Sequence, residues 1–187
     1  MPVVERLTPE DGLERVQAAL GGDLVTDARL NYGQVDLVCT PDNFVSVMQT
    51  LRDHEGLECK FFTFLSGIDR TAFGGTDKPD KAGGLEVLCH VYAPHRALHV
   101  NIHVPVDLEN PVCPTLTGLY AGAEWHERET AEMFGIRFDG HPNLVKLYLP
   151  EDFEGHPLRK TFRLPSRIIK DWPGAKDPEE AASGGRG

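Results

Sequence analysis

The chain has 187 residues, of which 40 % are hydrophobic and 26 % charged, and its formal net charge at pH 7 is −10. This composition is typical of a soluble globular domain that buries a core of its own. The acidity argues against non-specific binding to nucleic acid or anionic lipid. No stretch approaches the roughly 18 apolar residues of a membrane-spanning helix, and the first residues lack the pattern of a secretory signal.

The charge is unevenly distributed along the chain. Residues 156–170 contain five basic side chains and no acidic one, whereas residues 1–155 have a net charge of −13. A basic segment on an acidic chain indicates either a docking tail or a solvated surface strand.

Two helices with similar beginnings are predicted in the first third of the chain. Each starts with a capping threonine followed by proline at the first helical position, at Thr8 and at Thr40. The first helix should end at Gly21 and the second near Gly56. Strands are predicted at residues 24–28, 34–40 and 59–68. In the second helix, the side chains predicted to face inward are Phe44, Val47, Met48 and Leu51.

The second half of the chain is predicted to begin with a mobile loop over residues 69–84 and a hairpin of residues 85–92 and 97–104. A short helix near residues 115–120 and a longer one from about Trp125 should follow. After Gly140, prolines recur too often for helices, so the chain is expected to run extended.

This order of elements predicts an α+β fold, with helices packed on a mixed, largely antiparallel sheet and an extended C-terminal arm. We assign residues 1–138 to the α+β core domain, including the helix from Trp125. Residues 139–176 form the predicted docking arm, and the composition of residues 177–187 predicts a disordered tail.

The helix from Trp125 contains a carboxylate that the helical period places among its apolar residues. With Trp125 at 0°, Glu129 falls at about 40° and Met133 at about 80°, whereas Glu127 falls at about 200°. We therefore predict that Glu129 is buried. Because a buried carboxylate is costly unless it is paired, its expected partner is Arg159, Lys160 or a residue of a neighbouring subunit.

Histidines on the predicted hairpin raise a metal hypothesis. If Tyr92 pairs with Ala97, His90 lies opposite His99, and both share with His103 the sheet face turned away from the core. Glu86 is then a possible fourth ligand. The alternative, which we favour, is a polar strand face that is solvated or covered by a partner.

The other candidate groups favour structural roles. The four cysteines are too far apart in sequence for a zinc or iron–sulfur motif, and no dinucleotide or phosphate loop is present. We therefore expect no catalytic residue, metal or cofactor in this chain. His141 and His156 each lie between glycine and proline, a setting that favours a structural elbow over proton transfer.

One continuous region resembles a known family. Glu127-Arg128-Glu129, Met133-Phe134-Gly135-Ile136 and Gly140-His141-Pro142 are followed by Leu149-Pro150-Glu151-Asp152-Phe153 and Gly155-His156-Pro157-Leu158-Arg159-Lys160. Together they resemble the signature of the thirty-kilodalton subunit of respiratory complex I, also called its C subunit. Glu132 and Asn143 are mild departures from it. The same module occurs in membrane-bound hydrogenases and related dehydrogenases.

The resemblance implies a non-catalytic structural subunit in the hydrophilic arm of the proton-pumping NADH:quinone oxidoreductase. Such a subunit is peripheral and lies on the cytoplasmic side of the cell membrane. It packs first against the D subunit and also against the B subunit, which together form the quinone site. FMN and iron–sulfur clusters are expected in partner subunits, and the isolated chain is expected to be inactive.

The resemblance also favours docking as the role of the basic segment. It marks as interface or fold determinants Glu127, Arg128, Glu129, Gly135, Gly140, His141, Pro142, Gly155, His156, Pro157, Arg159 and Lys160. The alternatives are the equivalent subunit of a membrane-bound hydrogenase and, from another class, a histidine-metal hydrolase.

Overall fold

The computed structural model describes residues 6–72 and 83–164. Within these residues, the helices are Pro9–Leu20 (α1), Pro41–Asp53 (α2) and Ala123–Phe134 (α3). The strands are Asp27–Asn31 (β1), Gln34–Val38 (β2), Phe61–Asp69 (β3), Leu85–Ala93 (β4), Leu98–Val106 (β5), Val112–Pro114 (β6) and Arg137–Asp139 (β7). The predicted tail, the end of the predicted arm and most of the predicted mobile loop lie outside the described residues.

The main sheet has five strands in the order β1-β2-β5-β4-β3. Only β2 and β5 pair in parallel, and the other neighbours are antiparallel. The predicted mixed, largely antiparallel sheet is therefore confirmed. A second, two-stranded sheet pairs β6 with β7 in parallel, and the sequence patterns did not predict it.

Helices α1 and α2 form where the capping and apolar patterns predicted them. The Thr8 hydroxyl accepts a hydrogen bond from the Asp11 amide at 3.2 Å, and proline follows at the start of the helix. In α2, the four predicted inward residues are all buried. No helix within residues 6–72 and 83–164 is both long and apolar enough to cross a membrane.

One face of the main sheet forms the core, and all three helices contribute to it. On the α1 side, a Cβ built on Gly12 would lie 2.9 Å from Leu98 Cδ1. On the α3 side, a Cβ on Gly67 would lie 2.6 Å from the Phe134 ring. The side chain of Phe44, from α2, is fully buried in the same cluster. The opposite face carries the histidines of β4 and β5.

The hairpin of β4 and β5 forms, but its predicted register is wrong. Tyr92 pairs with His99 and not with Ala97. Ala97 has a φ of +54° and belongs to the turn, so the strand pair next to the turn is Ala93 with Leu98. Because the shift is two residues, the face of every side chain is preserved.

Two shorter elements also differ from the prediction. Residues 115–120 form a turn and not a helix, with the amides of Leu119 and Tyr120 both bonded to the Leu116 carbonyl. Strand β1 begins at Asp27, three residues later than predicted.

Candidate interface on helix α3 and the C-terminal arm

The buried carboxylate of α3 is Glu127, and the prediction that it is Glu129 is wrong. Glu127 is fully buried, whereas Glu129 is partly exposed and Trp125 is 57 % exposed. The buried side of α3 instead follows Ala123, Glu127, Thr130 and Phe134, a helical spacing of four, three and four residues.

The error arose from placing the largest apolar side chain of α3 inside. The indole of Trp125 lies at the surface under Arg128, whose guanidinium carbon is 5.2 Å from the ring centroid. This cation–π contact stabilises an exposed aromatic ring.

Glu127 is held by groups that come from the segment before α3. Its carboxylate accepts hydrogen bonds from the Thr115 hydroxyl at 2.6 Å and from the Leu116 amide at 2.7 Å. Burial raises the pKa of Glu127, although these two hydrogen bonds and His141 oppose the rise. The contacts fasten the turn at residues 115–120 to the helix.

His141 extends the Glu127 cluster to the segment after α3. Its side chain is 1 % exposed, and its Nε2 lies 3.2 Å from the Glu124 carbonyl and 4.0 Å from Glu127 Oε2. The Asn143 amide donates to Nδ1 at 3.0 Å, so Nε2 carries the proton in the neutral ring. Gly140 precedes it with a φ of +84°. This geometry is that of a structural elbow.

Glu132 forms a second, unpredicted carboxylate site on α3. It accepts hydrogen bonds from the amides of Leu147 at 2.9 Å, Tyr148 at 3.0 Å and Leu149 at 2.5 Å. Burial alone would raise the pKa of Glu132, but the three amides and the ammonium of Lys146 hold it below its ordinary value. The sequence offered no signal for this site, because the donors are backbone groups of the arm.

Lys146 binds the backbone of the residues that follow those bound by Glu132. Its ammonium donates to the carbonyls of Pro150 at 3.1 Å, Glu151 at 3.0 Å and Phe153 at 2.8 Å. Arg128 adds two hydrogen bonds, to the carbonyls of Val145 at 2.9 Å and Lys146 at 3.1 Å. Residues 145–153 form neither a helix nor a strand. Their backbone is instead held in place by these side-chain hydrogen bonds.

Residues 156–159 satisfy the carbonyls at the end of α3, which have no partner inside the helix. His156 Nδ1 lies 2.9 Å from the Glu132 carbonyl, the Leu158 amide donates to Met133, and Arg159 Nε donates to the Phe134 carbonyl at 2.6 Å. A cation at this position also complements the helix dipole.

Gly135 explains why the helix end and His156 fit so closely. It has a φ of +72°, and a Cβ at this position would lie 2.6 Å from the His156 ring. Gly155 likewise has a φ of +86° and lies against Phe162. Of the two prolines that follow the histidines, Pro142 is exposed and Pro157 is partly buried.

The predicted ion pair of Glu129 with Arg159 or Lys160 is wrong. No hydrogen bond joins Glu129 to either residue in the described part of the chain. Arg159 caps α3, and the Lys160 amide donates to Asp69 at 2.9 Å. The arm thus returns across α3 to the end of β3.

Most of the exposed large hydrophobic side chains of the described residues lie in this region. Of the eight large hydrophobic side chains exposed in the described residues, five belong to α3 and the segment after it. Exposed apolar side chains that lie together on a surface are candidates for contact with a partner. The five are Trp125, Val145, Tyr148, Leu158 and Leu164.

The three histidines on the outer sheet face fall into two separate groups, the pair His90–His99 and His103 with Glu86. His99 Nδ1 lies 3.2 Å from His90 Nε2, and His103 Nδ1 lies 3.1 Å from Glu86 Oε1. The predicted position of His90 directly opposite His99 is wrong, because His90 pairs with Asn101 and reaches His99 diagonally. Residues 6–72 and 83–164 contain no group of three His, Cys, Asp or Glu side chains placed to hold a metal ion.

The four cysteines are free and buried. Burial raises the pKa of the Cys39 and Cys59 thiols to about 12. They behave as small hydrophobic side chains of the interior, because a neutral buried thiol is a poor nucleophile and a poor metal ligand.

The relatives found by comparison with known proteins share one name. The C subunit of NADH-quinone oxidoreductase from Rhizobium rhizogenes is 36 % identical over 141 residues, or 75 % of this chain. The protein of the same name from Roseiflexus sp. is 39 % identical over 152 residues, or 81 % of this chain. The matches span 66 % of the Rhizobium protein, just under two thirds, and 82 % of the Roseiflexus protein.

Two solved structures share the fold. The trypsin-resistant fragment of Nqo5 matches 72 % of this chain and 98 % of its own length, with a TM-score of 0.55 and 23 % identity. A chain of the membrane-bound sulfane sulfur reductase, an archaeal respiratory membrane complex, matches 82 % of this chain and 86 % of its own, with a TM-score of 0.59 and 20 % identity.

The profile of one protein family covers most of the chain. It is described as the 30 Kd subunit of respiratory-chain NADH dehydrogenase, and it matches residues 37–167. This range begins near the end of β2 and includes β3 to β7, α2, α3 and the described arm. The chain therefore belongs to the family of the 30 kDa subunit of respiratory-chain NADH dehydrogenase.

Proposed function

We propose that this chain is a non-catalytic structural subunit of a proton-translocating NADH:quinone oxidoreductase, complex I. It lies in the hydrophilic arm, peripheral to the membrane on the cytoplasmic side. The observation that carries the proposal is the family match over residues 37–167. The names of the curated relatives, each the C subunit of an NADH-quinone oxidoreductase, support the same enzyme.

The proposed partners are the D subunit first, then the B subunit and other subunits of the hydrophilic arm. The exposed apolar side chains of α3 and the arm support a protein-binding role for this region. FMN and the iron–sulfur clusters belong to the partners, and this chain alone has no NADH oxidation activity. Its contribution is to hold neighbouring subunits in register while electrons pass from NADH to quinone.

The arm suits that role because polar contacts hold it in one conformation. The carboxylate of Glu132, the ammonium of Lys146 and the guanidinium of Arg159 each bind backbone groups across α3 and the arm. A partner that binds such a surface does not bear the entropic cost of ordering it. The twelve residues marked by the family resemblance act here as fold and interface determinants.

The two alternatives have less support. The equivalent subunit of a membrane-bound hydrogenase shares the module, but the curated relatives named above are subunits of an NADH-quinone oxidoreductase. A histidine-metal hydrolase needs ligands that converge on one metal ion. On the outer face, His90 and His99 contact each other, whereas His103 contacts Glu86.

Truncation at Glu154 tests the proposal in a strain that lacks the natural copy of the chain. The truncated chain loses the contacts to Glu132, Met133 and Phe134, and with them its basic docking segment. We expect the sheet core to stay folded while co-purification with the membrane complex and NADH:quinone activity are lost. The measurements are circular dichroism, affinity purification from solubilised membranes, and membrane activity.

The matched control removes only residues 177–187, the predicted disordered tail, and should assemble normally. Normal assembly of the chain truncated at Glu154 would refute the role assigned to the arm. Full activity in a strain without any copy of the chain would refute the proposed function itself.

A further inference from the structure

Tyr148 is an exposed aromatic residue on a backbone that is held from two sides. Its side chain is 62 % exposed. Its amide donates to both carboxylate oxygens of Glu132, at 3.0 and 3.3 Å, between the bonds from Leu147 and Leu149. Directly after it, three carbonyls of residues 150–153 surround the ammonium of Lys146. We call residues 146–153 the clasped loop.

The clasp uses strong hydrogen bonds. Every one of these contacts joins an ionised side chain to a backbone group, and such bonds are about twice as strong as neutral ones. The carboxylate binds the amides of the first half of the clasped loop, and the ammonium binds the carbonyls of the second half. The loop therefore presents Tyr148 on a fixed backbone without a helix or strand.

A fixed backbone changes what an exposed tyrosine contributes to binding. Association normally costs ordering entropy in loops, and that cost falls when the bound conformation already exists. The tyrosine ring itself has few rotatable bonds and offers a large contact area. Among the described residues, the phenol makes no hydrogen bond, so its polar end is available to a partner.

We propose that Tyr148 is a preorganised anchor that inserts into an apolar pocket on a neighbouring subunit of the complex. The proposal rests on the proposed function and specifies the chemistry of the contact. Residues 146–154 carry three exposed acids, Glu151, Asp152 and Glu154, and one base, Lys146, whose ammonium is bound to carbonyls of the same loop. The pocket that accepts Tyr148 is therefore bordered by lysine or arginine side chains, by charge complementarity.

Tyr32 provides a matched control within the same chain. It is 99 % exposed, and it lies in the turn between β1 and β2 with a φ of +49°. Both tyrosines offer a ring to solvent, but Tyr32 stands on a short hairpin and is not part of the region that concentrates the exposed hydrophobic side chains. Exposure alone predicts equal effects of substitution, whereas the anchor proposal predicts an effect at Tyr148 only.

The test measures how tightly the tagged full-length chain binds the complex from a strain that lacks it. Solubilised membranes of that strain are the titrated probe. We expect Tyr148→Ala to weaken binding about 30-fold, the value of a typical interface hot spot, and Tyr32→Ala to change it less than about threefold. Equal affinities for Tyr148→Ala and the unchanged chain would overturn the anchor. Failure of the unchanged chain to bind would instead refute the proposed function.

A double-mutant cycle tests whether the clasp acts through Tyr148. We expect Lys146→Met to weaken binding about fivefold when Tyr148 is present and less than about twofold in the Tyr148→Ala background. Purely additive effects would overturn the clasp as a positioning device. Thermal unfolding of each variant identifies any general loss of fold.

The charge of the partner is tested through salt dependence. The association rate of the unchanged chain should fall with rising salt, and Glu151→Gln with Asp152→Asn should flatten that dependence. An unchanged or steeper salt dependence in this double variant would show that no basic surface faces Glu151 and Asp152, and it would overturn the proposed chemistry.

Discussion

The sheet region and the α3–arm region hold together in different ways. Helices α1 and α2 bury apolar side chains such as Val16, Phe44 and Leu51 against strands joined by continuous backbone ladders. The arm after α3 has no helix or strand beyond β7 among the described residues, and charged side chains fix its backbone. One region is stabilised by packing and the other by individual polar contacts.

The two kinds of stabilisation respond differently to substitution. An apolar core is one cooperative unit, so a cavity anywhere in it lowers the free energy of unfolding of the whole. A polar contact at the periphery fixes one segment, and its loss opens that segment first. The core therefore sets whether the chain folds, and the contacts of Glu132, Lys146 and Arg159 set the shape of the surface that it presents.

The largest effect is expected for Phe44→Ala. Phe44 is fully buried in the core of α2, and truncation of a buried phenylalanine typically costs about 3–5 kcal/mol. Denaturant unfolding should show this loss as one cooperative shift that includes the sheet. Phe61→Ala is the control, because Phe61 is 56 % exposed and should cost less than about 1 kcal/mol. Similar losses for both would contradict the assignment of the core.

A smaller and local effect is expected for Glu132→Gln. The variant loses the charge that binds the amides of Leu147, Tyr148 and Leu149, and hydrogen bonds to charged groups are worth about 1.5–3 kcal/mol. Hydrogen exchange at these three amides should accelerate while exchange in β4 stays unchanged. The control is Glu129→Gln, which has no hydrogen bond to the arm in the described residues.

The Glu132 contact should also depend on pH. Its pKa is lowered from the ordinary 4.5, so the folded state binds this proton less tightly than the unfolded state does. The stabilisation is therefore complete above pH 4.5 and is lost as the pH falls through the lowered pKa of Glu132 in the folded chain. Protection of the three amides that is insensitive to acid would contradict the ionised contact.

The apolar parts of the fold could be predicted from the sequence because the residues that determine each element are close together in the chain. The apolar stripe of α2 lies within one short segment, and its prediction is confirmed. The helix also begins directly after Thr40 as predicted, but the Thr40 side chain makes no capping hydrogen bond. The hairpin register was missed by two residues, since nothing in the sequence marks Ala97 as left-handed. The face of each strand residue was still right because the side-chain period is two.

The polar part of the candidate site was not readable in the same way. The face of α3 was predicted from Trp125 and Met133, but the groups that satisfy Glu127 are Thr115 and Leu116, twelve and eleven residues earlier. Because Glu127 and not Glu129 is buried, we expect Glu127→Gln to be more harmful than Glu129→Gln. A carboxylate bound by backbone groups has no sequence signature, because every residue offers the same amide.

The smallest effect is expected in the pH dependence of Glu127, the other carboxylate of α3. Burial raises the pKa of Glu127 above the ordinary 4.5, against the opposing hydrogen bonds from Thr115 and Leu116. In the folded chain the proton is therefore held more tightly than in the unfolded chain. The free energy of unfolding falls as the pH rises from 4.5 through the raised pKa of Glu127. The slope is at most about 1.4 kcal/mol per pH unit.

Glu127→Gln should remove that slope, because the amide keeps the shape of the side chain and does not ionise. Denaturant unfolding of both proteins across this pH range measures it. The variant should gain stability relative to the unchanged chain as the pH rises above 4.5. In a measurement extended below pH 4.5, Glu132→Gln, whose parent carboxylate has the opposite pKa shift, should lose stability relative to the unchanged chain as the pH rises toward 4.5, with a constant difference above it. Since five residues separate the two carboxylates on one helix, changes of the same sign would show that their surroundings do not differ as the contacts of α3 require.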